Sequence, residues 1–162
     1  EASLMAHELS HHWWGDLATC ETAEDMWLNE GWATYSEKFF LENIYGKSSY
    51  QQAVRVNHED VLHFTHIRNG GYLPIAPVSH ANTYNYYLVY QKGADVVHTL
   101  RGYMGDTLFF NCLKTFLNNH AFKTMNSNEL RDELFSCSGI YLGNYFNLKF
   151  KINFLKKTKI YF

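Results

Sequence analysis

Two histidines four residues apart, His7 and His11, with Glu8 directly after the first, constrain this 162-residue chain more than any other feature. On a helix, positions i and i+4 share a face, so both imidazoles can reach one metal ion. Glu8 then lies on a neighbouring part of that face, where a carboxylate can take a proton from water. The five residues alone also fit a pair of ordinary surface histidines, and a third ligand decides between the two. The HExxHxxGxxH spacing needs Gly at position 14 and His at position 17. The chain has Trp14 and Leu17 there, which excludes that class. The other option is Glu30, with eighteen residues between it and His11, inside Trp27-Leu28-Asn29-Glu30-Gly31-Trp32. A helix, a turn and an antiparallel helix bring Glu30 over the histidine face. Two neutral imidazoles and a carboxylate leave a tetrahedral zinc with an open fourth position, the arrangement of catalytic sites.

The rest of the chain reads as helix after helix, and the predicted class is mainly α. The first helix is predicted from Ala2 to about Trp14. Thr22-Ala-Glu-Asp25 has capping-box form and introduces a second helix from about Met26 to Tyr45, stopped by Gly46. Ser48 or Ser49 is expected to cap a third helix that reaches about Ile67. Arg68 to about Thr83 is the one long irregular stretch, holding Gly70-Gly71 and both prolines. Such loops often carry function in compact domains. A fourth helix is predicted from about Tyr84 to Tyr103, and a fifth, capped by Asp106, to about Asn118. A sixth runs from Ser127 to near Gly139 and a last one starts near Gly143. No segment alternates with period two long enough to demand a strand, although Gly71 to Val78 has room for a short one.

Composition removes several other functions. Fourteen Lys/Arg against sixteen Asp/Glu give a net charge of −2, but Lys149 to Phe162 hold five lysines and no acid, which leaves −7 on residues 1–148. An acidic body argues against nucleic acid as a partner. No run approaches the roughly 18 apolar residues of a membrane span. Trp13, Trp14, Trp27 and Trp32 flank the proposed ligands and are expected to form the dry packing between the two ligand-bearing helices. Cys20, Cys112 and Cys137 are odd in number and lack a CxxC pair, so three free, partly buried thiols are expected. The chain opens on Glu1 and already reads as helix, so a piece of a longer protein is expected and its compartment stays open.

His7-Glu-Leu-Ser-His11-His-Trp-Trp-Gly-Asp16 and Trp27-Leu-Asn-Glu30-Gly31 together resemble the zinc aminopeptidase family of gluzincins, which includes aminopeptidase N and leukotriene A4 hydrolase. The likeness extends over roughly residues 1–148. It implies a partial, thermolysin-like helical catalytic domain with one zinc ion on His7, His11 and Glu30, and with Glu8 as general base. It also implies a peptide substrate cut at its N-terminal residue, and further domains in the parent chain. The family has a tyrosine that steadies the reacting carbonyl oxygen, in a Tyr-x-Lys-Gly motif met here as Tyr90-Gln91-Lys92-Gly93. The residues alone do not choose Tyr90 over Tyr84, Tyr86 or Tyr87.

Around these groups several side chains have two readings. Glu37, seven residues beyond Glu30 on the same face, can accept the outer N–H of a zinc histidine or be a solvated charge beside Lys38. Thr34, one turn beyond Glu30, is a similar candidate, and Asp16 can brace the turn after the first helix. His12 is expected to face solvent. The other six histidines, His58, His63, His66, His80, His98 and His120, form no ligand-spaced set. Gly93 inside a helix costs about 1 kcal/mol relative to alanine, and close approach to the metal-bearing helix would explain it.

Two departures from the family pattern matter. The Gly-x-Met-Glu-Asn segment that reads a substrate's free α-amine lies upstream of the zinc helix, and this chain begins six residues before His7. The zinc peptidase reading therefore rests on residues present, and the aminopeptidase reading on resemblance. Residues 149–162 are expected to be an atypical basic tail outside the domain. A truncation or frameshift, or an amphipathic end that packs on a partner domain, would produce it. The alternatives to an aminopeptidase are a same-fold zinc hydrolase of another substrate class and a fragment that binds zinc without turnover.

Overall fold

One helix is buried on almost every side, and the other elements are arranged around it. It is α2 (Trp27–Tyr45), in which Trp27, Leu28, Gly31, Trp32, Ala33, Thr34, Tyr35 and Lys38 are all buried. The computed structural model describes residues 1–68 and 73–150. Gly70-Gly71 and residues 151–162 of the basic tail lie outside the described residues. The order is α1 (Ala2–Ser10), β1 (Ala18–Cys20), α2, α3 (Lys47–Asp60), α4 (Gly93–Met104), α5 (Asp106–Asn119), β2 (Lys123–Met125), α6 (Ser127–Ser138) and α7 (Gly143–Phe150). Helices α1, α3 and α4 all pack on α2. The class is mainly α, as the periodicity predicts.

The departures from prediction have local causes. Helix α1 ends at Ser10 rather than Trp14. Past Ser10 the amides of Asp16, Leu17 and Ala18 bond back to the carbonyls of His11, His12 and Trp13 at 2.9, 3.1 and 3.1 Å. Gly15 closes this wide turn at φ +149°, a conformation that strains any residue with a Cβ. The turn carries Trp14 inward to stack on Trp32, with ring centroids 4.1 Å apart. Trp13 is left on the outside at 48% exposure, so it is not part of the dry packing expected of all four tryptophans.

Strands β1 and β2 pair in parallel, Ala18 opposite Lys123 through Cys20 opposite Met125. At three residues each they are too short to show alternation. The short strand considered for 71–78 is absent over the described part, 73–78. Thr22 makes no capping bond, and Ala23–Asp25 form a single 3-10 turn instead. Ser48 and Ser49 lie inside α3, which starts directly after Gly46. Asp106 opens α5, but its carboxylate pairs with the Arg101 guanidinium at 2.8 Å rather than capping. The capping box is at α6, between Asn126 and Glu129.

The predicted third and fourth helices each contain a wide π-helical stretch. Val61–Arg68 continues α3, and Tyr86–Lys92 leads into α4. The expectation of three free thiols is also corrected. Cys112 on α5 and Cys137 on α6 form a disulfide, because packing of these two helices brings their Cα atoms to 5.7 Å. Cys20 remains free and partly buried.

A close approach between helices joins α2 to the start of α4. A Cβ placed on Gly93 would lie 2.8 Å from the Gly31 Cα, and one on Gly31 would lie 2.9 Å from the Gly93 Cα. Both obstacles are backbone atoms and cannot swing away. Gly102, further along α4, has nothing within 4 Å of its Cβ position. Gly93→Ala is therefore expected to destabilise by about 1–3 kcal/mol through overpacking. Gly102→Ala is expected to stabilise by about 0.5–1 kcal/mol through helix propensity. Urea unfolding of the two variants measures both, and opposite signs are the predicted result.

Candidate metal centre

Helix α1 carries His7, its C-cap residue His11 follows directly after Ser10, and α2 meets them with Glu30 in its first turn. The Glu30 carboxylate oxygen Oε2 lies 3.4 Å from Nε2 of His7 and 3.4 Å from Nε2 of His11. Ligand atoms of all three residues fall within 4.8 Å of one another, and no other such group of three or more occurs among the described residues. A distance of 3.4 Å is long for a charge-assisted hydrogen bond, which favours about 2.7–2.9 Å. A tetrahedral ion with bonds of about 2.0–2.1 Å sets its ligand atoms about 3.3–3.4 Å apart. Two imidazoles and one carboxylate at this spacing fit zinc.

The other ring nitrogen of each histidine is held. His7 Nδ1 lies 2.8 Å from Glu37 Oε1, and His11 Nδ1 lies 3.0 Å from the Trp14 carbonyl oxygen. In the neutral ring, an acceptor at each Nδ1 puts the proton there and leaves Nε2 as the lone-pair donor toward the shared point. The Trp14 carbonyl is aimed by the wide turn after α1, which helical periodicity does not predict. Thr34 does not take the place considered for it. It is buried, and its Oγ1 has no hydrogen-bond partner. His12 is exposed and pairs with Asp16 at 3.3 Å, across the turn.

Four of the five residues of Trp27-Leu-Asn-Glu-Gly31 have a distinct physical task. Trp27 is fully buried and donates from Nε1 to Ser127 Oγ at 2.9 Å. Asn29 accepts from the Cys20 amide at 3.0 Å and donates to Thr19 Oγ1 at 3.1 Å, which ties β1 to the start of α2. Glu30 supplies the carboxylate, and Gly31 admits Gly93. That glycine contact sets Tyr90, three residues before Gly93, beside the same site. The Tyr90 ring lies parallel to the His7 ring at 10°, with centroids 6.2 Å apart.

Electrostatics divides these groups by role. Burial alone would lower the His7 pKa, but the Glu30 and Glu37 carboxylates outweigh it and push it up to about 9. Burial, with the Glu30 charge next and Glu8 contributing, pushes Tyr90 up to about 12, so its phenol stays protonated at neutral pH. Glu8 itself is exposed. Of the remaining histidines, His58 pairs with Asp95 at 3.1 Å and His120 with Glu133 at 2.7 Å. The side chain of His66 lies outside the described residues. A cleft of about 710 Å³ bordered by Leu9, Trp13, Phe39 and Phe110 is lined by none of His7, His11 and Glu30.

Because the His7 proton must leave when a cation binds, zinc uptake is expected to release close to one proton at pH 7. Affinity should rise with pH until about 9, where the His7 proton is already lost. Calorimetry in buffers of different ionisation enthalpy measures this. Glu37→Gln is expected to release less proton and to bind zinc roughly 10-fold to 100-fold more weakly.

The chain is similar to known proteins over most of its length. Residues 1–152 match the family model described as the peptidase family M1 domain. Aminopeptidase N of Streptomyces lividans is 32% identical over 150 residues, covering 85% of this chain and 17% of that protein. Aminopeptidase M1 of Arabidopsis thaliana is 28% identical over 146 residues, covering 85% of this chain and 16% of that one. The chain thus spans about a sixth of the length of these relatives. An M1 zinc metallopeptidase from Deinococcus radiodurans superposes with a TM-score of 0.79 at 20% identity, over 93% of this chain and 33% of that one. Native yeast leukotriene A4 hydrolase gives 0.74 at 19% identity, over 93% and 26%. With a family model matched along nearly all of its length, the chain belongs to the M1 peptidase family.

Proposed function

We propose that this chain is the zinc-bearing part of an aminopeptidase, with one zinc ion held by His7, His11 and Glu30. The observation that carries the reading is the pair of 3.4 Å separations from one Glu30 oxygen to two imidazole Nε2 atoms. The relatives' names support the substrate class, since those matched in sequence include aminopeptidases from a bacterium and a plant. A zinc ion in such a site supplies an activated water and polarises the scissile carbonyl.

The chain's own residues do the rest. Glu8, exposed one residue after His7, accepts the proton of the attacking water and returns it to the leaving amine. Tyr90 donates its phenolic hydrogen bond to the oxygen that gains negative charge in the tetrahedral intermediate. Its raised pKa keeps that proton in place across the neutral range. Glu37 fixes the His7 tautomer from behind, at 2.8 Å. No covalent enzyme intermediate is needed. The second reading, a zinc-binding piece without turnover, draws on the exposure of Glu8 and on the small share of its relatives' length that the chain spans.

Metal analysis combined with a paired assay tests both readings. The zinc-loaded protein is expected to contain close to one zinc and to cleave aminoacyl-arylamides but not their N-acetylated forms. Glu8→Gln should keep its zinc and lose at least about 100-fold in kcat, the lower range for a general base. Tyr90→Phe should keep its zinc and lose about 100-fold in kcat with little change in KM. Equal cleavage of blocked substrates would contradict the aminopeptidase reading. Zinc without any turnover in this chain, with cleavage by the complete parent protein, would favour the second.

A further inference from the structure

Tyr90 sits in a backbone conformation that its own sequence does not explain. Residues Tyr86–Lys92 form a π-helical stretch, and π turns are rare, short and frequent at functional sites. Tyr-Tyr-Leu-Val-Tyr-Gln-Lys contains no proline or glycine to force the helix open. The support comes from outside. Thr65 Oγ1 donates to the Tyr87 carbonyl at 3.0 Å, and Asn57 Nδ2 donates to the Gln91 carbonyl at 2.8 Å. These two carbonyls bracket Tyr90 in sequence.

Both donors are committed to this task. Thr65 is fully buried and Asn57 is 5% exposed. The Asn57 Oδ1 atom has no hydrogen-bond partner, so the amide is kept at a buried position for what its Nδ2 donates. A buried half-satisfied amide is costly, and its bond to Gln91 is the return. At the segment's other end the Asn85 side chain accepts from the Leu88 amide at 3.1 Å, and the Tyr87 ring stacks on Phe64 with centroids 4.0 Å apart. The π segment is thus held against α3 and its continuation, on one side, while Tyr90 stands beside His7.

We propose that Asn57 and Thr65 are positioning residues for Tyr90: by holding the carbonyls of Gln91 and Tyr87 they keep the π turn open and set the Tyr90 phenol toward the reacting oxygen. This rests on the reading of Tyr90 as the oxyanion donor, and a double-mutant cycle separates the two. In the complete, zinc-loaded protein, Thr65→Val and Asn57→Leu are each expected to lower kcat about tenfold with KM and zinc content unchanged, a loss within the range that displacement of a catalytic group brings. Thr65→Ser, which keeps the hydroxyl, should restore wild-type kcat.

In a Tyr90→Phe background the same two substitutions should cost nothing further, since the phenol they position is gone. Amide hydrogen exchange over 86–92 should quicken in both variants while α1 and α2 stay protected. Losses of equal size with and without the Tyr90 hydroxyl would overturn the positioning role and leave the oxyanion reading intact. Unchanged kcat in Tyr90→Phe alone would instead remove that reading. Should Thr65→Val or Asn57→Leu lose its fold or zinc, Thr65→Ala and Asn57→Ser carry the same cycle, and unchanged kcat in both would overturn the proposal.

Discussion

The contact between Gly31 and Gly93 is the constraint on which the site depends. Two helices can approach this closely only where neither has a Cβ, because each glycine's missing Cβ would fall within 3 Å of the other's backbone. Glu30 is one residue before the first glycine, and Tyr90 is three residues before the second. Locking the glycines therefore fixes a carboxylate and a phenol beside each other, close enough for the Tyr90 phenol to hydrogen-bond the Glu30 carboxylate. Helix α1 and its C-cap residue His11 add the two imidazoles to the same face of α2, and the stacked pair Trp14 and Trp32 holds them there. The three donor residues and Tyr90 thus come from three segments, all referred to α2.

Charge then decides what such a site can hold. Glu30 and Glu37 lie on either side of the buried His7 ring, at 3.4 Å from Nε2 and 2.8 Å from Nδ1. Two carboxylates around one imidazole make a place that attracts a cation, and a proton fills that role at neutral pH until a metal competes for it. The Glu37 charge has its own counter-ion in Lys38, at 3.8 Å, whose burial lowers the ammonium pKa. Neutralisation passes inward from Lys38 to Glu37 to His7, so the site's geometry is held by partners that lie one step behind it.

Much of this was legible in the sequence, for reasons that differ by residue. His7 and His11 could be read because helix periodicity turns a four-residue spacing into a shared face, and Glu30 because a turn and an antiparallel helix can bring it over that face. Gly93 could be read as a close approach because a helix-interior glycine needs a cause. Tyr90 could not be separated from Tyr84, Tyr86 and Tyr87 without the resemblance, since in a π turn the usual angular step per residue does not hold. Thr34 was placed by the same helical arithmetic as Glu37, yet only Glu37 is long enough to reach the imidazole. Strands β1 and β2, of three residues each, and the disulfide between Cys112 and Cys137 depend on how distant elements pack. The tasks of Asn57 and Thr65 were hidden for the same reason, because their partners are backbone carbonyls more than twenty residues away in sequence.

The central claim is that α1 and α2 bring three donors to one point. Anomalous diffraction at the zinc edge, from crystals of the zinc-loaded protein, tests it directly. A single strong peak is expected about 2 Å from Nε2 of His7, Nε2 of His11 and the Glu30 carboxylate. A peak on any other set of side chains, or none in a folded and zinc-supplied crystal, would contradict it.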